Sequence, residues 1–104
     1  MGKNRHESLG LSDETVVEMY ETMLLARKID ERMWKLNRAG KIPFVISCQG
    51  QEAAQVGAAY ALDRTKDVIA PYYRDMGMVL AFGMTARDLM LSAFAKAEDP
   101  NSGG

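Results

Sequence analysis

Apolar residues recur at three- and four-residue steps through Val16, Tyr20, Met23, Leu24, Ile29, Met33, Trp34 and Leu36, the spacing of an amphipathic α-helix. Ser12, followed by Asp13 and Glu14, fits the start of that helix, because a serine oxygen takes an orphan backbone N–H and acids complement the positive end of the dipole. Gly40 supplies a left-handed stop. The pattern therefore predicts one long helix over 12–39. Through Lys41-Ile42-Pro43-Phe44-Val45-Ile46-Ser47-Cys48 the period is lost and Pro43 obstructs a helix, so a loop or short extended segment is expected. The small residues of 51–62 predict a second, buried helix that another backbone can approach closely. Asp67-Val68-Ile69-Ala70 reads as a brief strand, and 76–82 as a short buried helix stopped at Gly83. Thr85 with Asp88 resembles a capping box opening a last helix through about Lys96. Residues 1–11 are polar and aperiodic and are expected as a flexible arm, and 99–104 as a loop. The expected fold class of these residues is mostly α.

Composition narrows the function. The chain has 104 residues, 47% hydrophobic and 26% charged, within the range of one small globular domain. Thirteen basic and fourteen acidic residues leave a net charge of −1 with no like-charge run, which offers no footprint for nucleic acid or an anionic membrane. No apolar stretch approaches the ~20 residues of a membrane helix, and the N-terminus lacks the apolar core of a secretory signal, so the cytosol is the expected compartment. Met1-Gly2 does not extend to a myristoylation signal, because His6 stands where Ser or Thr is needed. A single cysteine, Cys48, excludes an internal disulfide and makes no metal-binding spacing with the single His6; a structural role is expected for it.

The most suggestive cluster is Tyr72-Tyr73-Arg74. A guanidinium fork beside two phenols, before a helix start, suits a phosphate or carboxylate. The alternative is that both tyrosines are core and Arg74 pairs with Asp75 or another nearby acid. Glu52, opening the helix of small residues, is either a catalytic carboxylate or an acid stabilised by the helix dipole. Arg27, Lys28, Asp30, Glu31 and Arg32 read as a solvated or subunit-facing surface, and the methionines as core filling. No Ser–His–acid set, P-loop, dinucleotide glycine fingerprint or zinc motif is present.

Taken in order, Leu25-Ala26-Arg27-Lys28-Ile29-Asp30-Glu31-Arg32, Gly50-Gln51-Glu52-Ala53, Pro71-Tyr72-Tyr73-Arg74-Asp75 and Asp99-Pro100-Asn101-Ser102-Gly103-Gly104 resemble the α subunit of thiamine-diphosphate-dependent 2-oxo acid dehydrogenases of the branched-chain and bacterial pyruvate types. The resemblance implies that 12–104 is an incomplete N-terminal portion of a thiamine-diphosphate-binding domain within a mixed α/β fold. It implies decarboxylation of a 2-oxo acid on thiamine diphosphate with Mg²⁺ and transfer of the acyl group to a lipoyl domain. By resemblance, Tyr72 and Arg74 reach the diphosphate, Tyr73 faces substrate and cofactor, and Phe44 lines the substrate pocket. The implied partners are a β subunit, a second α subunit and the lipoyl-bearing acyltransferase. The family's Gly-Asp-Gly metal segment and its downstream Asn are missing from these residues, so no metal ligand is expected here and the 104 residues alone are expected to be inactive. Two rivals remain: a helical association module without cofactor, which an exposed apolar stripe on the long helix would favour, and a different thiamine enzyme or cofactor-free relative sharing only the scaffold.

Overall fold

Ser12 caps the long helix as its position suggests, its Oγ accepting from the Thr15 N–H at 3.1 Å. In the computed structural model, which describes residues 5–101, that helix is the second of five: α1 (Arg5–Ser8), α2 (Asp13–Arg38), α3 (Glu52–Tyr60), α4 (Met76–Ala81) and α5 (Ala86–Ala93). The fold class is mostly α. No strand occurs among the described residues: Asp67–Ala70 is irregular, and Val68 is 91% exposed. A four-residue β-prone run needs a neighbouring strand to take its backbone groups, and the described residues offer none. Within the polar segment expected to be an arm, α1 forms a single turn, and His6 Nε2 lies 2.7 Å from Asp13 Oδ1 at the start of α2. Residues 1–4 and 102–104 lie outside the described residues.

Ala26, Ile29 and Met33 of α2 pack with Ile42 and Cys48 of the following segment and Met76 and Leu80 of α4 to form the core, and α5 leans on it through Leu89 and Met90, with Phe94 just beyond its end. Burying these side chains is the main stabilising term, roughly 1.5–3 kcal/mol for each large one. The face differs from the sequence expectation in one respect. Tyr20, Leu24 and Trp34, which share the apolar period, are exposed together with Val17. Periodicity alone cannot tell which of two apolar stripes meets the core.

Helices α3 and α4 pack at close range. A Cβ on Gly77 would stand 2.9 Å from Gln55 Oε1 and 3.3 Å from Val56 Cγ2, so any side chain there would displace the Gln55 amide. Of α3, Glu52, Gln55, Val56 and Ala59 are buried, while Ala53, Ala54 and Ala58 are exposed, so the helix is buried on one face only. The capping box at α5 is complete: the Asp88 N–H donates to Thr85 Oγ1 at 3.1 Å, and the Thr85 N–H to Asp88 Oδ2 at 2.9 Å. That helix ends at Ala93, short of Lys96, because Ala95 turns left-handed at φ 52°. No helix among the described residues is long and apolar enough to cross a membrane.

Candidate functional site

Between α3 and α4 the chain runs through Pro71, Tyr72, Tyr73, Arg74 and Asp75, a tight turn in which the Asp75 N–H donates to the Tyr72 carbonyl at 2.9 Å and the Tyr72 N–H to Asp75 Oδ2 at 2.9 Å. Asp75 is therefore spent on the turn and not on Arg74. The alternative of core tyrosines is also set aside, since Tyr72 and Tyr73 are 60% and 61% exposed. Their rings lie 3.8 Å apart between centroids, and the Tyr72 hydroxyl donates to the Tyr73 hydroxyl at 2.5 Å. This contact pushes the Tyr72 phenol up from its ordinary value of 10, chiefly because the proton shared with Tyr73 would be lost on ionisation.

Arg74 is half-buried, with its guanidinium carbon 5.8 Å from the centre of the Tyr73 ring. Its Nη1 donates to the carbonyl of Ser47 at 3.2 Å, and among the described residues none of the ion pairs uses it. A guanidinium carries five N–H donors, so one neutral carbonyl orients it without cancelling its charge. The result is an uncompensated cation beside two exposed hydroxyls, a set that suits phosphate or carboxylate oxygens. Of the N–H groups at the start of α4, that of Gly77 donates to Gln55 Oε1 at 3.0 Å.

The Arg74 contact joins the turn to the 41–50 segment. Phe44 stands three residues before Ser47 and is 68% exposed, on a stretch with no regular structure. Tyr73 thus touches both Tyr72 and Arg74, whereas Phe44 shares only its segment with Ser47. Tyr72 and Tyr73 present an open face, with Arg74 half-buried beside them.

What holds this face in place comes from residues the sequence pattern put elsewhere. Asp30, expected on a charged surface, is fully buried. Its Oδ2 accepts from the Ser47 hydroxyl at 2.7 Å and its Oδ1 from the Cys48 N–H at 3.2 Å. Arg27, from the same run, is half-buried and forms a fork on Glu52: Nε to Oε2 at 2.6 Å and Nη2 to Oε1 at 3.2 Å. Glu52 Oε1 also accepts from the Gly50 N–H at 2.8 Å. Hydrogen bonding to Arg27 holds the Glu52 carboxyl below its ordinary value, with the backbone N–H groups at the start of α3 adding to it, so Glu52 is an acid stabilised at the helix start that also ties α2 to α3 through Arg27. Gln55 ties Arg74 from behind, its Nε2 donating to the Arg74 carbonyl at 2.7 Å. Lys28 and Arg32 are exposed, as a solvated surface requires.

Cys48 is fully buried, and burial, with Asp30 and Glu52 nearby, pushes its thiol up to about 11, which leaves it a packing residue at neutral pH. The one group of possible metal ligands gathered among the described residues is His6, Glu7 and Asp13, between α1 and α2 and outside the 72–75 turn.

Residues 20–104 match the family described as Dehydrogenase E1 component. Over all 104 residues the chain is 78% identical to the 2-oxoisovalerate dehydrogenase subunit alpha of Bacillus subtilis (strain 168), covering 32% of that protein. Over 81 residues, 78% of this chain and 22% of the relative, it is 40% identical to the pyruvate dehydrogenase E1 component subunit alpha of Staphylococcus epidermidis. The same subunit of Staphylococcus aureus is 38% identical over an equal span. The chain thus spans about a third or less of the length of these relatives. No solved structure matches it significantly.

Proposed function

The chain belongs to the dehydrogenase E1 component family, and from that premise we propose that it forms part of the α subunit of a thiamine-diphosphate-dependent branched-chain 2-oxo acid dehydrogenase. The observation that carries the site assignment is the uncompensated Arg74 guanidinium, oriented by the Ser47 carbonyl beside the Tyr72 and Tyr73 hydroxyls. The choice of acid rests on the 78% identity to a 2-oxoisovalerate dehydrogenase subunit, against 40% for a pyruvate dehydrogenase subunit.

When bound, thiamine diphosphate supplies the nucleophilic carbon and the electron sink for loss of CO₂. The chain's own residues bind and orient. Arg74 and Tyr72 hold diphosphate oxygens, a charge-assisted contact roughly twice as strong as a neutral one. Tyr73 faces the bound cofactor and substrate. Phe44 borders the acyl group, where an apolar side chain discriminates one methylene by about 1–3 kcal/mol. The accompanying Mg²⁺ is assigned to the rest of the subunit, since no Gly-Asp-Gly segment stands among these 104 residues. The open face leaves Tyr72, Tyr73 and Phe44 to be covered by the rest of the subunit and by a β subunit, in a cytosolic assembly that includes a second α subunit and hands the acyl group to a lipoyl-bearing acyltransferase.

A second reading, association through α2, has its own support in the exposed stripe of Val17, Tyr20 and Leu24. The two are compatible, since an α subunit needs a helical face for its neighbours. The cofactor assignment is tested by calorimetric titration of thiamine diphosphate and Mg²⁺ into the α/β assembly carrying Arg74→Ala. The expected outcome is a dissociation constant raised more than about tenfold, because a charged hydrogen bond is worth ~1.5–3 kcal/mol. An unchanged constant would remove Arg74 from the site.

A further inference from the structure

A buried carboxyl group is expensive, and Asp30 is fully buried with no ion-pair partner among the described residues. Both of its oxygens are spent on two consecutive residues of the 41–50 segment, accepting from the Ser47 hydroxyl at 2.7 Å and the Cys48 N–H at 3.2 Å. The Ser47 oxygen in turn accepts from the Gln49 N–H at 3.1 Å, which closes the turn around it. What this turn presents is the Ser47 carbonyl, the acceptor that orients Arg74 at 3.2 Å.

We propose that Asp30 is a positioning residue for Arg74, fixing through Ser47 the direction in which the guanidinium meets the diphosphate; this rests on the cofactor assignment above. The arrangement has a physical logic. An acid placed directly against Arg74 would orient it and also neutralise it. Asp30 instead acts through a neutral carbonyl, so the cation stays available for an anionic ligand. Arg74 is gripped at both ends: Gln55 of α3 holds its backbone carbonyl at 2.7 Å, and the Asp30-anchored turn holds its side chain. Asp30 sits well inside the 26-residue α2, about two turns from its end, a rigid base for such a contact.

The test is a double-mutant cycle on the α/β assembly, read as thiamine diphosphate affinity with Mg²⁺ present. Asp30→Asn keeps the shape of the side chain but removes the charge that strengthens both contacts and forces the Ser47 hydroxyl to reverse and accept, and Ser47→Ala removes the hydroxyl link while leaving the Ser47 carbonyl. With Arg74 intact, Asp30→Asn is expected to weaken cofactor binding about tenfold and Ser47→Ala somewhat less. In the Arg74→Ala background each is expected to change binding less than about twofold, because the group being positioned is gone. A purely structural role would give the same loss in both backgrounds, and that result, or no loss in either, overturns the proposal. Ser47→Ala, a small change at a half-buried site, carries the test if Asp30→Asn fails to assemble. If Arg74→Ala alone leaves affinity unchanged, it is the cofactor assignment that fails, and the positioning role falls with it.

Discussion

Glu52 takes three donors, two from Arg27 and one from the Gly50 backbone, and its carboxyl is held below an ordinary value of 4.5 with the Arg27 hydrogen bond as the largest cause. A group whose folded-state pKa is depressed adds stability that is fully present above its unfolded pKa and is lost as pH falls through the folded one. Glu52→Gln is therefore expected to cost about 1–3 kcal/mol near neutral pH, with the difference from the parent chain shrinking below about pH 4.5. Urea titrations between about pH 3 and pH 7 measure it, and a difference that stays constant across the range would mean that Glu52 is not held in this way. Residue chemistry singled out the Tyr72-Tyr73-Arg74 cluster in the sequence, but whether its tyrosines are core and its arginine paired was legible only in the structure, which leaves both rings exposed and Arg74 outside the ion pairs of the described residues. The burial of Asp30 was not legible. Its neighbours in the run, Lys28 and Arg32, are exposed, and the groups that satisfy it lie 17 and 18 residues away in a segment without periodicity.

At the scale of elements, one device ends four helices. The N–H two residues beyond the helix end donates to a carbonyl of the preceding turn at Gly10, Gly40, Gly83 and Ala95, and the residue after each makes the longer bond back, as Lys41 does to Leu36 and Lys96 to Leu91, both at 2.9 Å. At the first three of these positions the left-handed residue is glycine, with φ between 74° and 114°; at α5 it is Ala95. That difference explains why the ends at Gly40 and Gly83 could be read from the sequence and the end at Ala93 could not. Ala95→Gly is expected to stabilise the chain by about 1 kcal/mol, raising its Tm by a few degrees, because alanine is strained in this conformation. A lower Tm in thermal unfolding would show that the entropy glycine adds to the unfolded chain outweighs the relieved strain. The missing strand at Asp67–Ala70 has the opposite lesson: a β-prone run is a request for a partner, and no local signal says whether the partner is there.

For the whole molecule, the sequence located α2 to α5, with α5 ending earlier than expected, but left open which side of α2 faces inward. The structure answers with a core on the Ala26, Ile29 and Met33 side and an exposed row at Val17, Tyr20 and Leu24. Phe44, Tyr72 and Tyr73 are exposed as well, so the surface that carries the proposed chemistry and the surface suited to association are both open to neighbours. The most direct measurement is to graft residues 1–104 in place of the matching stretch of the Bacillus subtilis 2-oxoisovalerate dehydrogenase α subunit, assemble it with its β subunit, and follow decarboxylation of 2-oxoisovalerate. Since the site residues would be supplied by this chain, activity within about threefold of the parent assembly is expected. An assembly that forms normally yet loses activity more than about a hundredfold would contradict the assignment.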